Sequence, residues 1–329
     1  MSNKHSPGLG RRPLLGLSAV LVAAARSARA QNWPDRPVRM VVGFPPGGPT
    51  DLVARLVATE LEAAWGRPVV IENRAGANAT LATDMVAKAA PDGYTLLCAA
   101  NNHVMNPAIY TNLPYHAADS FAPVGMIATS PNVLWTGASQ PFNTLADAVA
   151  AAKARPGELG FATTGNGGNG HFGGETLQRA TGITLMHIPY RGTAPAMQDV
   201  LAGRVPLFMQ TLVGAIGAYR GGQIKPLVVF GPDRAPDLPN VPTMAELGFE
   251  APDSGVWYGL LAPAGTPAAL IQRMGRDLEM VSKNTAFQEK LRTQASVTTF
   301  LGPADFAARI RTDLPRWAAV AQAAGMRLE

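Results

Sequence analysis

Residues 38–51 read VRMVVGFPPGGPTD, and this stretch decides the fold. Residues 38–44 have the apolar run of a buried strand, with Arg39 as its charged member. Pro45, Pro46, Gly47, Gly48 and Pro49 then stop regular structure. Thr50 or Asp51 is placed to cap the helix predicted for LVARLVATELEAAWG. Gly47 and Gly48 permit positive φ and a close approach of ligand to backbone. The first-turn amides of a helix entered through such a loop can hold an anion. The same letters fit an ordinary strand-to-helix turn, and the Asp51 carboxylate would compete for those amides.

Outward from this unit the pattern repeats. Residues 68–72 predict a second strand, 73–80 (NRAGANAT) a loop, 81–90 a helix, 91–93 a turn and 94–99 a third strand. Strands alternating with helices at this spacing make parallel βαβ units, whose ligands sit beyond the carboxyl ends of the strands. That rule brings residues 44–51, 74–80 and 100–103 together. Asn101, Asn102 and His103 are candidate donors there, although His103 equally fits a loop histidine satisfied by a neighbour. Residues 121–136 (FAPVGMIATSPNVLWT) break at Ser130-Pro131, as for one strand leaving a domain and another entering the next. Helices follow at 143–154, with Thr144 near the cap, and at 172–180, 194–202 and 216–220. Strands fall at 159–163, 184–188, 205–209 and 225–230. A helical turn at 244–247 and a strand at 256–262 precede helices at 268–282, 285–296 and 303–324. The last of these carries Phe306, Ile310, Trp317 and Val320 at core spacing.

The 329 residues are 47% apolar and 16% charged, which suits two ordered domains rather than a disordered chain. The first thirty read as an export signal. Lys4, Arg11 and Arg12 are followed by an apolar run over 14–25 and a small-x-small site at Ala28-Arg29-Ala30. The mature chain would start near Gln31. Arg11-Arg12 pairs as in a twin-arginine signal but lacks its polar context, which favours the general secretory route. The signal holds five of the 28 lysines and arginines and none of the 23 acids, so its removal takes the formal charge from +5 to zero. The basic balance therefore gives no support to a nucleic-acid partner. Cys98 is the sole cysteine, in an apolar strand, so neither an intrachain disulfide nor a cysteine-rich zinc site is expected. After the signal no apolar run approaches the length of a membrane span.

Between the strand at 159–163 and the helix at 172–180 lies TGNGGNGH (164–171). Gly165, Gly167 and Gly170 spell G-x-G-x-x-G, the dinucleotide fingerprint. It lies more than a hundred residues into the mature chain, and no acid ends the strand at 184–188 to hold a ribose. A glycine loop presenting amides to a small ligand is the favoured reading. His171 falls in the first turn of the helix, and His187 ends the next strand. Arg191, in HIPYRG (187–192), has the fork that matches a carboxylate, and also fits a surface arginine.

Together with these stretches, WPDRPVRMVVGFPPGGPTD, VVIENRAGAN, PDGYTLL, NPAIY, FAPVGMIATSPNVL, GNGGNGHFGGE, HIPYRGTAPAMQD, LPNVPTMAELG and WYGLLAPAGTP carry a specific likeness. From about Trp33 to the C-terminus the chain resembles the substrate receptors of tripartite tricarboxylate transporters, the Bug family. The resemblance implies an α/β, two-lobed type II periplasmic binding protein fold (a Venus flytrap), each lobe a mostly parallel sheet flanked by helices. One lobe would take 31–130 plus 256–329 and the other 131–255, with crossings near Ser130-Pro131 and at 253–257. It implies a monomeric periplasmic receptor that closes on a small organic acid ligand by hinge motion. That acid would be a di- or tricarboxylate, an amino acid or an aromatic acid. The receptor would deliver it to the membrane permease subunits, without catalytic residue, metal or cofactor. The implied ligand-binding residues are Phe44, Gly47, Gly48, Thr50 and Asp51; Asn78 and Ala79; Asn101; Pro131; Thr164, Gly165, Asn166, Gly167 and His171; Arg191; and Gln210 with Thr211. One departure stands out. Where the family usually has Gly-Ala-Gly-Gly-Asn, this chain has Gly76-Ala77-Asn78-Ala79-Thr80. Side chains at two pocket-facing positions predict a narrower or differently polarised pocket. The alternatives are an exported enzyme such as a hydrolase, for which G-x-S-x-G and H-E-x-x-H are both lacking, and a ligand-loaded sensor partner.

Overall fold

The computed structural model describes residues 33–250 and 254–327. The export signal read at 1–30 lies outside them, as does the start of the crossing placed at 253–257. β1 (Val38–Val42), α1 (Pro49–Trp65), β2 (Val69–Asn73), α2 (Thr80–Ala87) and β3 (Thr95–Ala100) make two parallel crossovers. α3 (Asn102–Ile109) leads to β4 (Phe121–Ser130). One residue on, past Pro131, β5 (Asn132–Gly137) opens a second sheet. α4 (Leu145–Ala154), β6 (Gly160–Thr163), α5 (Asn169–Thr181), β7 (Met186–Pro189), α6 (Thr193–Leu201), β8 (Leu207–Thr211), α7 (Leu212–Arg220) and β9 (Ile224–Phe230) follow. β10 (Val256–Pro263) returns to the first sheet, ahead of α8 (Ala268–Lys283), α9 (Thr285–Thr293), β11 (Val297–Leu301) and α10 (Pro303–Ala323). The strand orders are β11-β4-β10-β3-β1-β2 and β7-β6-β8-β5-β9, giving a two-lobed α/β protein.

The pleat of β1 shows why the sheet is covered on both faces. Val38, Met40 and Val42 point to one side, against Val53, Val57 and Leu61 of α1. Val41 points to the other, among Ala82 and Val86 of α2. The α1 residues recur every four positions and form one apolar stripe. Each such side chain contributes about 1.5–3 kcal/mol by leaving water. The second sheet is covered likewise, by clusters around Phe161 and Leu177 on one face and Trp135 and Phe208 on the other. The lobes also touch directly: Phe172 of α5 meets Trp317 of α10 edge-on, with ring centroids 5.3 Å apart.

Several local expectations are corrected. β1 stops at Val42 rather than 44. The N-cap of α1 is Gly48, in extended backbone (φ −75°, ψ 166°), and not Thr50 or Asp51; Pro49, lacking an N–H, takes the first turn instead. Residues 100–103 are not a loop, because α3 begins at Asn102; its shortness and the internal Pro107 hide it from helical pattern reading. β11 was not expected after the helix read at 285–296, which ends at Thr293. It is a five-residue, half-exposed edge strand on β4. α7 follows β8 without a break, four residues earlier than read. Thr144 does cap α4, in a reciprocal box with Asp147.

Candidate functional site

Asp51 is the hub of the first loop and is 1% exposed. Its Oδ2 accepts from the Gly47 amide at 2.9 Å and from Arg55 Nε at 2.8 Å. Its Oδ1 accepts from Arg55 at 3.0 Å and from Asn73 Nδ2 at 2.8 Å. Asn73 Nδ2 also reaches the Phe44 carbonyl at 3.0 Å, which ties the end of β2 to the loop after β1. Burial alone would raise the Asp51 carboxyl pKa; donors from Arg55, Gly47 and Asn73 outweigh it and hold the group below the usual carboxylate value. The competition expected at Asp51 is therefore real, but it takes the Gly47 amide and leaves the helix. Thr50 and Asp51 amides have no intrahelical acceptor, since the first α1 bond runs from Leu52 to Gly48.

The second loop is the most unusual backbone among the described residues. Ala77, Asn78 and Ala79 all lie in the left-handed region, at φ 45°, 51° and 69°. For L-residues this costs about 1–2 kcal/mol each. The turn is held in place by asparagines on α3: Asn102 and Asn106 each donate Nδ2 to the Asn78 carbonyl at 2.9 Å. A Cβ at Gly43 would lie 2.2 Å from the Ala79 Cβ, so the end of β1 must carry glycine for the turn to sit there.

In the second lobe, Gly167 donates its amide to His171 Nδ1 at 3.1 Å, and Thr163 Oγ1 meets His187 Nε2 at 2.7 Å. The two imidazoles stack with centroids 4.0 Å apart. Gly168 caps α5 without a side-chain bond, and the first α5 bonds run from His171 and Phe172 to its carbonyl. The Asn169 and Gly170 amides are therefore left open. The loops of the two lobes meet. Asn78 Nδ2 donates to the Gly167 carbonyl at 2.8 Å, and Asn101 Nδ2 to Asn169 Oδ1 at 2.8 Å. Asn132 Oδ1, Asn169 Nδ2 and Ser254 Oγ, beside this seam, have no protein partner. Buried polar atoms in that state call for a polar occupant. The side chains that meet at this seam, Asn78, Asn101 and Asn169, are neutral amides, so a ligand there meets dipoles. Among the described residues no group of three or more side chains could hold a metal ion.

The model of the tripartite tricarboxylate transporter family receptor matches residues 53–326. The chain belongs to this family. It is 33% identical to protein BugT of Bordetella pertussis over 318 residues, covering 96% of this chain and 98% of that one. Among solved structures it is similar to the periplasmic binding protein BugD (TM-score 0.84, 33% identity, 90% of this chain and 100% of that one). It is equally similar to Rpa4515 of R. palustris with adipate (TM-score 0.85, 33% identity, 90% and 99%). The family is one of receptors, so the chain is a binding protein and not an enzyme. No helix of the receptor among the described residues is long and apolar enough to cross a membrane.

The remaining expected residues of the receptor divide in two. Thr50 is buried, Phe44 half-buried against the first-lobe core, and Thr164 and Gly165 half-buried beside Gly167. Pro131 links the sheets and accepts at its carbonyl from Leu212. Gln210 is occupied with Thr193 Oγ1 and with Thr211, to which its Oε1 is bonded twice. Asn166 and Arg191 are exposed, and Arg191 makes no hydrogen bond or ion pair among the described residues. The structure does not draw Arg191 into the network. His103 is buried between Tyr115 and Phe121, with Nε2 on the Ala117 carbonyl, and belongs to the core. The third glycine of G-x-G-x-x-G serves packing: a Cβ on Gly170 would lie 2.6 Å from the Met209 carbonyl. Asn73, Asn106, Asn132 and Asn169 are absent from the expected set, whereas Asn102, expected as a donor to the ligand, instead holds the Asn78 carbonyl. Asn73 ends β2, Asn132 opens β5 and Asn169 opens α5, while Asn106 lies inside α3 and carries no such local signal.

Burial pushes His171 down to about 4, and burial together with His171 pushes His187 down to about 3, from an ordinary 6.5. The unfolded chain thus takes up these protons first as pH falls. Stability from the pair is complete above 6.5 and is lost on descent towards the folded values, while the native rings stay neutral. Solute affinity is therefore expected to be flat between about pH 8 and 6 as the melting temperature begins to fall near 6.5. An affinity that titrates with a midpoint near 6.5 contradicts this assignment.

Proposed function

We propose that this receptor works outside the cytoplasm, holds a small organic carboxylate between its lobes and delivers it to the membrane subunits of a tripartite tricarboxylate-type transporter. The observation that carries the reading is the pair of open helix starts, Thr50–Asp51 and Asn169–Gly170, one in each lobe, with the lobes joined beside them where Asn78 meets Gly167. Each supplies free N–H donors and a positive dipole end, which together suit an anion with two polar ends. The adipate of Rpa4515 supports a dicarboxylate. Asn78 fills space that a hydrogen would leave free, which favours a short or slim solute, whereas the Ala79 methyl packs against Gly43 and takes no room from it. Phe44 and Pro131 would cover its carbon skeleton.

Titration calorimetry with adipate, shorter dicarboxylates, aspartate and benzoate tests the reading, with recovery of unchanged solute separating it from an exported hydrolase. Gly48→Val sharpens the test. Gly48 has an ordinary negative φ, and its Cβ would approach only the Pro45 carbonyl at 3.3 Å, so the fold should survive. Its bulk would stand before the Thr50 and Asp51 amides. The variant is expected to melt near the parent temperature yet show no solute-induced stabilisation; stabilisation equal to the parent would remove this loop from the site.

A further inference from the structure

We propose that Asn78 is a cross-lobe clamp, so that a side chain of the receptor itself, and not the solute alone, holds the lobes together. Its Nδ2 carries two hydrogens and meets two oxygens: Asn106 Oδ1 of its own lobe at 2.7 Å and the Gly167 carbonyl of the other at 2.8 Å. The reverse amide orientation would set oxygen against both, so the neighbours fix the assignment. Both donors are thereby used, and the group that resemblance assigns to the solute is committed to closure. The backbone serves the same end. Three successive left-handed residues are an unfavourable way to shape a turn, and two α3 asparagines grip the Asn78 carbonyl to keep it so. The result aims one amide across the cleft at the glycine whose own N–H is fixed by His171. Asn78 is thus a positioning residue for the Gly165–Gly167 loop, and it sets how readily the lobes part.

The clamp rests on the interlobe cleft of the proposed function, but its test does not need the solute. Cys98 is buried, so spin labels at Lys88→Cys and Lys153→Cys, one exposed position on each lobe, report separation in the solute-free receptor. Asn78→Asp keeps size and left-handed tolerance but faces the Gly167 carbonyl with an acceptor. Asn78→Gly removes the side chain and suits φ 51° better than any other residue. Both are expected to raise the ratio of separated to closed lobes roughly fivefold, the weight of one net hydrogen bond. Ala77→Gly, which relaxes the same turn without touching Nδ2, should leave the distribution unchanged. Parent-like distances in both Asn78 variants, or an equal shift in Ala77→Gly, would overturn the clamp. Shifted distances in a protein that binds no carboxylate would leave the clamp standing and remove the proposed solute.

Discussion

Asp51→Ala is expected to destabilise the receptor by about 3 kcal/mol and to abolish solute binding. Four hydrogen bonds converge on this 1%-exposed carboxylate, from three different parts of the chain. Arg55 is about half exposed, so water compensates part of its loss, which is why the figure stays below that for a fully enclosed ion pair. The Gly47 amide, on an exposed residue, is relieved likewise, whereas the half-buried Asn73 side chain keeps only its bond to the Phe44 carbonyl on Nδ2. Without Asp51 the 44–48 loop loses its tie to β2 and to α1, and the open amides of the helix lose their fixed direction. Asp51→Asn should fall between, keeping an acceptor for Gly47 but not the charge facing Arg55. Since the folded carboxyl is held low, its contribution is present above the ordinary 3.8 and is lost as pH falls through the folded value. Urea unfolding measures the first effect and titration calorimetry the second. An alanine variant within half a kcal/mol of the parent, by about the scatter of surface changes, would remove Asp51 as the hub.

Gly43→Ala is expected to be nearly as damaging through a single methyl group. The added Cβ would lie 2.2 Å from Ala79 Cβ and 2.8 Å from its Cα, so one of the two backbones must move. Overpacking of this kind costs about 1–3 kcal/mol. Here it also pushes on the left-handed turn, so binding and stability should fall together. The test lies in the pair. Ala79→Gly removes the opposing methyl and suits φ 69°, but leaves the Cα at 2.8 Å, so Gly43→Ala/Ala79→Gly should recover part of both losses. Additive losses in the double variant would show that the two positions do not press on each other.

The first loop was legible because its chemistry is local: a strand, a glycine–proline break and a helix start stand within fourteen residues. The parallel units could be read for the same reason, as could the break at Pro131, where apolar runs stop and restart. What sequence did not disclose depends on distant partners. Asn78 becomes left-handed only because Asn102 and Asn106 stand over it, and those two sit on a helix that Pro107 and a polar start conceal. Competition from Asp51 was legible, but that it takes the Gly47 amide rather than those of the helix is decided only in three dimensions. Arg191 had the right chemistry for a carboxylate, yet sequence carries no measure of its exposure.

The place of β10 in the first sheet bears on how the chain is made. It lies between β4 and β3 and pairs with both, yet it is synthesised after the whole second sheet. Until residues 256–263 emerge from the ribosome, β3 and β4 are separated by a missing partner, each with a bare edge. The earlier half of this lobe therefore cannot close its sheet before residue 263 has been made, which leaves the nascent polypeptide threadable until its last quarter has begun.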